Sequence, residues 1–238
     1  MKLALIGYGK MGKAIEEIAI ERGHTIVLKI ASTNKEDLTA SNLKKADAAI
    51  EFSHPGKAVE HIITCLNAGI PVVCGTTGWL NHISEIENVC KATKGTFLFA
   101  SNFSIGVNIF FEINKRLAAL LNDQKQYDVH IEEIHHTEKK DAPSGTAISL
   151  ADGIIDNLDR KLKWVNEPTD SPEELSIISK RVDSVPGTHS IKYSSPVDDI
   201  EIIHTAHNRK GFAEGAVLAA EFIVGRRGMF TMKDVLGV

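Results

Sequence analysis

Along the first hundred residues, short apolar runs alternate with segments whose apolar positions recur at helical spacing. KLALI (2–6) is a strand-length apolar run ending at glycine, and in the following KAIEEIAIERG the residues Ile15, Ile18 and Ala19 repeat along one helix face. HTIVLKI (24–30), ADAAIEF (46–52), IPVVCG (70–75) and TFLFAS (96–101) read as further strands. AVEHIITCLNAG (58–69), closed by glycine, and SEIENVCKAT (84–93) read as helices. Strands joined through helices run parallel, and fully apolar strands need cover on both faces, so this half predicts an α/β, doubly wound parallel sheet.

After Ser101 the pattern changes. SIGVNIFFEINKRLAALLN (104–122) predicts a long apolar helix, whereas DVHIEEIHH (128–136), LSIISKRV (175–182), HSIKYSS (189–195) and DIEIIHTAH (199–207) read as strands with partly alternating character. They predict a second, α+β domain containing a mixed or antiparallel sheet. WVNEPTDSPEE (164–174) is polar and proline-containing and reads as a surface loop. GFAEGAVLAAEFIVG (211–225) predicts another apolar helix, placed to return and cover the first sheet.

Composition narrows the function classes. The 238 residues are 43% hydrophobic and 24% charged, enough for one large domain or two modest ones. A formal net charge of -4 opposes general attraction to nucleic acid or anionic membrane, so anion binding must be local. MKLALIGYGKMG lacks a signal-like apolar region with a cleavage site, and no run reaches membrane-spanning length, which predicts a cytoplasmic protein with no membrane partner. Cys65, Cys74 and Cys90 show no paired spacing and predict buried, reduced thiols with no metal site.

GYGKMG, with Gly7, Gly9 and Gly12, fits the G-x-G-x-x-G phosphate-binding turn, and here it follows a strand and opens a helix. The first glycine permits the tight turn, the second lets a pyrophosphate approach, and the third lets helix and strand pack closely. The anion would rest on free N–H groups at the helix start. A dinucleotide bound at this turn would also meet Tyr8, Lys10 and Met11. A methyltransferase-like nucleotide site and a simple glycine turn are the competing readings.

The acidic residue expected at the end of the second strand, facing the ribose, is missing; Lys29, Ser32, Thr33, Asn34 and Lys35 stand there instead. A cation and hydroxyls can bind a 2′-phosphate, which favours acceptance of NADPH, with or without NADH. Two more candidate cofactor stretches lie at strand ends: Gly75, Thr76 and Thr77 after PVVC, and Ala100, Ser101, Asn102 and Phe103 after TFLF. Asn102 can offer both donor and acceptor to a nicotinamide amide.

EEIHHTEKKDAPSGTA (132–147) concentrates chemistry. Val129 and Ile131 share one face of the preceding strand, but Ile134 falls out of phase, as a bulge or a two-sided strand would allow. With a strand end near His136, residues 137–141 form a loop and Pro143 and Ser144 open a helix. Ser144 is then the N-cap, and Ala147, Ala151, Ile154, Leu158 and Leu162 the buried stripe. Two imidazoles, an ammonium and the free N–H groups of Gly145 and Thr146 would share one short loop, an anion site suited to a carboxylate. A histidine there can serve as general acid and a nearby lysine can assist.

The same string, with its pattern His-His-x-x-Lys-x-Asp-Ala-Pro-Ser-Gly-Thr, resembles the signature of the dihydrodipicolinate reductase family. The likeness extends through GYGKMG, IEFSHP (50–55), GTTG (75–78), ASNFSIGVN (100–108), VPGTHSI (185–191) and HTAHNRKGFAEGA (204–216), nearly the whole chain. It implies a Rossmann-like dinucleotide-binding domain of residues 1–103 completed by 212–238, and a substrate-binding and oligomerisation domain of residues 104–211. It also implies NADPH and/or NADH as cofactor, with Ser32 and Phe52 among its contacts, and a homotetramer.

The implied substrate is a cyclic dicarboxylate, 4-hydroxy-tetrahydrodipicolinate. It is the product of the preceding synthase step and is reduced to tetrahydrodipicolinate in the diaminopimelate route to lysine. His135 would be the acid, Lys139 its assistant, and His136, Gly145 and Thr146 the holders of a carboxylate. Glu51 and Ser53 stand where Asp and Thr are expected, the link between the second and third strands is short, and the glycine turn is one residue tighter than G-x-x-G-R-M-G. A different Rossmann-type dehydrogenase and a nonenzymatic dinucleotide sensor are the other readings of the glycine turn alone.

Overall fold

The computed structural model describes residues 1–208 and 210–238. In chain order the strands are β1 (Lys2–Ile6), β2 (Thr25–Ile30), β3 (Ala48–Glu51), β4 (Val72–Cys74), β5 (Thr96–Phe99), β6 (Asp128–His135), β7 (Lys163–Val165), β8 (Glu174–Arg181), β9 (Gly187–Ser194), β10 (Asp199–Ala206) and β11 (Gly228–Phe230). The helices are α1 (Lys10–Glu21), α2 (Ala40–Leu43), α3 (Pro55–Asn67), α4 (Ile83–Thr93), α5 (Ile105–Leu120), α6 (Gly145–Ile155), α7 (Lys210–Ile223) and α8 (Met232–Leu236). The chain forms two compact units, Met1–Asn108 with Lys210–Val238, and Ile109–Arg209.

In the first unit six strands lie in the order β11-β5-β4-β3-β1-β2, every pair parallel. Alternation along β1 sends Leu3 and Leu5 to one face, with Ile50, Val73 and Leu98, and sends Ala4 and Ile6 to the other, with Ala49, Val72 and Phe97. Both layers are buried, which is why these strands read as continuous apolar runs. Ile15, Ile18 and Ala19 of α1 and the small residues Ala213, Ala216 and Ala220 of α7 cover the first face. Ile62, Cys65, Leu66, Ile86 and Trp79 cover the second. The C-terminal α7 thus packs on the N-terminal sheet, and β11 adds the last strand beside β5.

Parallel strands put all their carboxyl ends at one edge. β1 is followed in sequence by β2 on one side and flanked by β3 on the other, so the order reverses between β1 and β3. The short link between β2 and β3 folds as a single 3-10 turn, Lys35–Asp37, and the one-turn α2, leaving β2 as the sheet edge.

The second unit has a mixed sheet in the order β10-β9-β6-β8-β7. β6, β8 and β7 run parallel, and β9 and β10 antiparallel to their neighbours. One face packs against α6 and against α5 from Phe110 onward, burying Val129, Ile131, Leu175, Ile177, Ile191, Tyr193, Leu150, Ile154, Phe110 and Leu121. β7 and the start of β8 correct the expectation that residues 164–174 are loop throughout: Trp164 and Val165 gain strand form by pairing with β8, which begins at Glu174. Leu162 corrects the predicted stripe, because α6 ends at Ile155 and Leu162 is 63% exposed. None of the described helices is long and apolar enough to cross a membrane.

Candidate active site

In the first unit the glycine turn stands where the strand order reverses. The N–H groups of Gly7 and Tyr8 both bond the Ile30 carbonyl at 2.9 Å, tying the turn to the end of β2. Gly7 has φ +97, and an added Cβ would lie 1.9 Å from the Phe52 carbonyl oxygen; at Gly12 it would lie 2.4 Å from the Gly7 carbonyl oxygen. At Gly9 the added Cβ meets nothing within 4 Å. Gly9 also caps α1 without a side-chain hydrogen bond, and no acid lies in the helix's first turn. The first N–H groups of α1 therefore face an open position suited to a phosphate, so the turn fits a dinucleotide.

Around this turn the predicted contacts occupy the same sheet edge. Phe52 follows β3, and its ring lies 5.5 Å from that of Phe103. Gly75, after β4, lets that ring approach, since a Cβ there would sit 2.1 Å from Phe52 Cζ. The Thr76 hydroxyl accepts the Ser53 N–H at 2.8 Å, joining the loops after β3 and β4, while Thr77 and Ser101 are exposed and Ala100 is buried. The Asn102 side-chain carbonyl accepts the Ser104 N–H at 2.9 Å, so its NH2 group is the freer half of the expected donor and acceptor pair.

Lys29, expected as a free cation, is instead paired with Glu16 at 2.6 Å and lies 5.0 Å from the centre of the Tyr8 ring. Tyr8 also donates its hydroxyl to Glu16, whereas Ser32, Thr33 and Lys35 are exposed. Lys10 is exposed and Met11 packs partly on the core.

Beneath the strand ends, Glu51 is fully buried and bonded by Ser53, by His61 at 3.3 Å and by the Cys74 thiol at 3.1 Å. Burial pushes its carboxyl up, but the bonds from His61, Ser53, Thr76 and Cys74 outweigh this and hold it below the ordinary value. The three cysteines are free and buried, and burial raises the thiols of Cys65, Cys74 and Cys90.

In the second unit β6 keeps strict alternation without a bulge: Val129, Ile131, Glu133 and His135 are all buried on one face. Ile134 was out of phase because the buried face itself turns polar at its last two positions. The fully buried Glu133 bonds His135 Nδ1 with one oxygen and Arg181 with the other, the latter at 2.9 Å. Burial would raise the Glu133 carboxyl, but bonds from His135, Ser179 and Arg181 push it down to about 2. It is a carboxylate at neutral pH.

Arg181 also donates to the carbonyls of Asp141 at 2.6 Å and Lys139 at 3.4 Å, so one guanidinium holds both the carboxylate and the loop. Lys139 Nζ is held by both oxygens of Asp141 at 2.8 and 2.7 Å. The expected concentration of positive charge is therefore partly offset within the loop itself.

Ser144 caps α6, accepting the Ala147 N–H at 3.2 Å, and its hydroxyl lies 3.0 Å from His189 Nε2. The His189 ring stands edge-on to His135 at 5.0 Å. Burial first, and then the nearby His135, pushes His189 down to about 3, so it is neutral. Gly145 is exposed at the helix start, with Thr146 and His136 half-buried. Glu133, His135 and His189 are metal-ligating types in close reach, yet Glu133 is already engaged by His135 and by a guanidinium, which disfavours a cation there. Glu133, Arg181, His189 and Gly187 were not among the expected site residues. VPGTHSI contains two of them and EEIHHTEKKDAPSGTA contains Glu133, while none of the quoted motifs contains Arg181. Arg209, within HTAHNRKGFAEGA, lies outside the described residues.

Residues 1–103 match the family described as Dihydrodipicolinate reductase, N-terminus, and residues 106–236 match Dihydrodipicolinate reductase, C-terminus. The chain belongs to the dihydrodipicolinate reductase family. It is 48% identical over 238 residues to the 4-hydroxy-tetrahydrodipicolinate reductase of Christiangramia forsetii, covering 99% of this chain and 98% of that one. The 4-hydroxy-tetrahydrodipicolinate reductase of Neisseria gonorrhoeae is 34% identical over 230 residues, covering 94% of this chain and 84% of its own.

In fold the chain is similar to a dipicolinate-bound dihydrodipicolinate reductase from Paenisporosarcina sp. TG-14, with a TM-score of 0.80, 21% identity and 97% of each chain covered. As a family member this is an oxidoreductase that reduces 4-hydroxy-tetrahydrodipicolinate in the diaminopimelate route of lysine biosynthesis. Membership in a dinucleotide-binding reductase family implies use of a nicotinamide dinucleotide.

Proposed function

We propose that His135 is the proton donor of this reduction, that Lys139 assists it, and that His136 with the N–H groups of Gly145 and Thr146 holds a substrate carboxylate. The observation that carries this reading is a closed set of contacts. His135 bonds Glu133, Glu133 bonds Arg181, and Arg181 bonds the Lys139 and Asp141 carbonyls; on its other side His135 meets His189, which reaches the cap of α6 through Ser144. The acid, the lysine loop and the helix start thereby form one unit. The N–H groups at the start of α6 and the positive end of its dipole favour a carboxylate, which explains how a net-acidic protein binds a dicarboxylate.

The dinucleotide supplies the hydride. It would be held by Gly7, Tyr8, Gly9, Lys10, Met11 and Gly12, with Ser32, Phe52, Gly75, Thr76, Thr77, Ala100, Ser101, Asn102 and Phe103 around it. His135 then delivers the proton that neutralises the charge developing on the substrate, and Lys139, released from Asp141, stabilises that charge or restores the proton. Residues 1–103 with 212–238 act as the dinucleotide-binding domain and residues 104–211 as the substrate-binding and oligomerisation domain of a cytoplasmic homotetramer.

Both NADPH and NADH serve. Lys29 is committed to Glu16, so a 2′-phosphate gains only the exposed Ser32, Thr33 and Lys35. The test of the site is His135→Gln and Lys139→Ala: each lowers turnover by roughly 100-fold or more, the span of general-acid catalysis, while dinucleotide affinity measured by fluorescence titration is unchanged. Full activity in both variants would remove the assigned acid site.

A further inference from the structure

We propose that Glu133 is the positioning residue of the proton donor, with Arg181 as the clamp that fixes it. This rests on the reading of His135 as the acid. Glu133 and His135 are two apart on β6, so strand alternation places both side chains on the same buried face. One Glu133 oxygen takes His135 Nδ1 and the other takes Arg181 Nη1 at 2.9 Å.

An ionised carboxylate can only accept, so Nδ1 must carry a proton whatever the charge of the ring. Exchange with substrate is thereby confined to Nε2, the ring nitrogen left to donate. Nε2 lies on the ring edge facing Gly187, where an added Cβ would stand 3.0 Å from it and 3.2 Å from Cδ2. Glycine at that position keeps the reacting edge clear of a side chain. His189, neutral and edge-on at 5.0 Å, flanks the ring without competing for the Glu133 carboxylate.

The clamp does more than orient a ring. Because Arg181 binds the carbonyls of Lys139 and Asp141 as well as Glu133, any shift of the carboxylate also shifts the loop that carries the assisting lysine. Acid and lysine are therefore set by one ion pair whose charges are both satisfied, the condition under which a buried pair specifies geometry. The competing role is structural only: Glu133 and Arg181 also tie β6 to β8, where His135 pairs with Arg181 in register.

A double-mutant cycle in the intact enzyme separates the two roles. Glu133→Gln keeps the shape and an acceptor for Nδ1–H but removes the charge. Expected are a fall in kcat of roughly 10- to 100-fold, part of what a general acid contributes, an unchanged KM for the dinucleotide, and a larger solvent deuterium isotope effect as proton delivery becomes limiting. In the His135→Gln background the same change costs at most about 2-fold, because the residue it acts through is gone.

Loss of equal size in both backgrounds would make Glu133 structural and overturn the proposal, as would wild-type kcat in Glu133→Gln when His135→Gln is impaired. Full activity of His135→Gln would be recognised separately, as failure of the acid assignment beneath it. If Glu133→Gln does not fold, Glu133→Gln with Arg181→Gln, which removes both charges together, is measured with the same outcomes.

Discussion

At the residue scale the three glycines of GYGKMG divide into two kinds. Gly7 and Gly12 are pressed against backbone, whereas Gly9 faces open space. Gly7→Ala is expected to destabilise the first unit by about 2 kcal/mol or more, through left-handed strain and collision with Phe52. Gly9→Ala leaves thermal stability within about 0.5 kcal/mol of wild type but weakens dinucleotide binding by crowding the approach of the phosphate. Melting curves and titration of the two variants check this; equal stability with equal affinity would contradict it.

His189 carries a pH signature. Its folded value of about 3 lies below the ordinary 6.5, so the unfolded chain takes up the proton first. Its contribution to stability is complete above about pH 6.5 and is lost as pH falls towards 3, with a slope of at most about 1.4 kcal/mol per pH unit. Glu133 adds a second loss, from its ordinary 4.5 down to about 2. Urea unfolding at pH 7 and pH 5 is therefore expected to show a fall in stability that is reduced in His189→Gln. An equal fall in both proteins would contradict the assignment.

At the element scale, β6 shows what a sequence pattern carries and what it hides. Alternation of Val129 and Ile131 was legible, and so was the strand's length. The two buried polar residues that complete the face were not, since Glu and His in a strand ordinarily mark the solvent side. Their cost is met by Arg181, far away in sequence on β8, and no local pattern encodes that pairing. β7 and β11 were missed for a related reason: each is three residues long and exists through pairing with a neighbour formed elsewhere.

The start of α6, by contrast, is local chemistry and was legible, Ser144 being a strong N-cap type. Ser144→Ala is expected to lower stability by about 1–2 kcal/mol, through loss of the cap and of the partner of His189 Nε2. Denaturant unfolding measures it, and an unchanged midpoint would show that the cap is dispensable.

At the scale of the whole molecule, the layered α/β first unit followed from periodicity, because apolar strands and amphipathic helices determine which faces must be covered; periodicity left the second sheet mixed or antiparallel, and the parallel pairing of β6, β8 and β7 makes it mixed. The return of α7 to the first sheet was expected from its apolar character, and the face it buries includes Ala213, Gly215, Ala216, Ala219 and Ala220. In the fold those small residues let the helix sit close, with a Cβ at Gly215 falling 1.7 Å from the Phe103 carbonyl oxygen. Cofactor preference was less legible: the missing acid after β2 pointed to a cation at Lys29, but only the fold reveals that Glu16, a turn and a half along α1, neutralises it.

The most direct measurement follows loss of reduced-nicotinamide absorbance with NADPH and with NADH in parallel, while a dihydrodipicolinate synthase makes the substrate in situ from pyruvate and aspartate semialdehyde. The expected result is synthase-dependent oxidation of both, at rates within about 10-fold of one another, a difference of no more than about 1.4 kcal/mol in barrier. Absence of oxidation with either, by folded protein that still binds dinucleotide, would contradict the account.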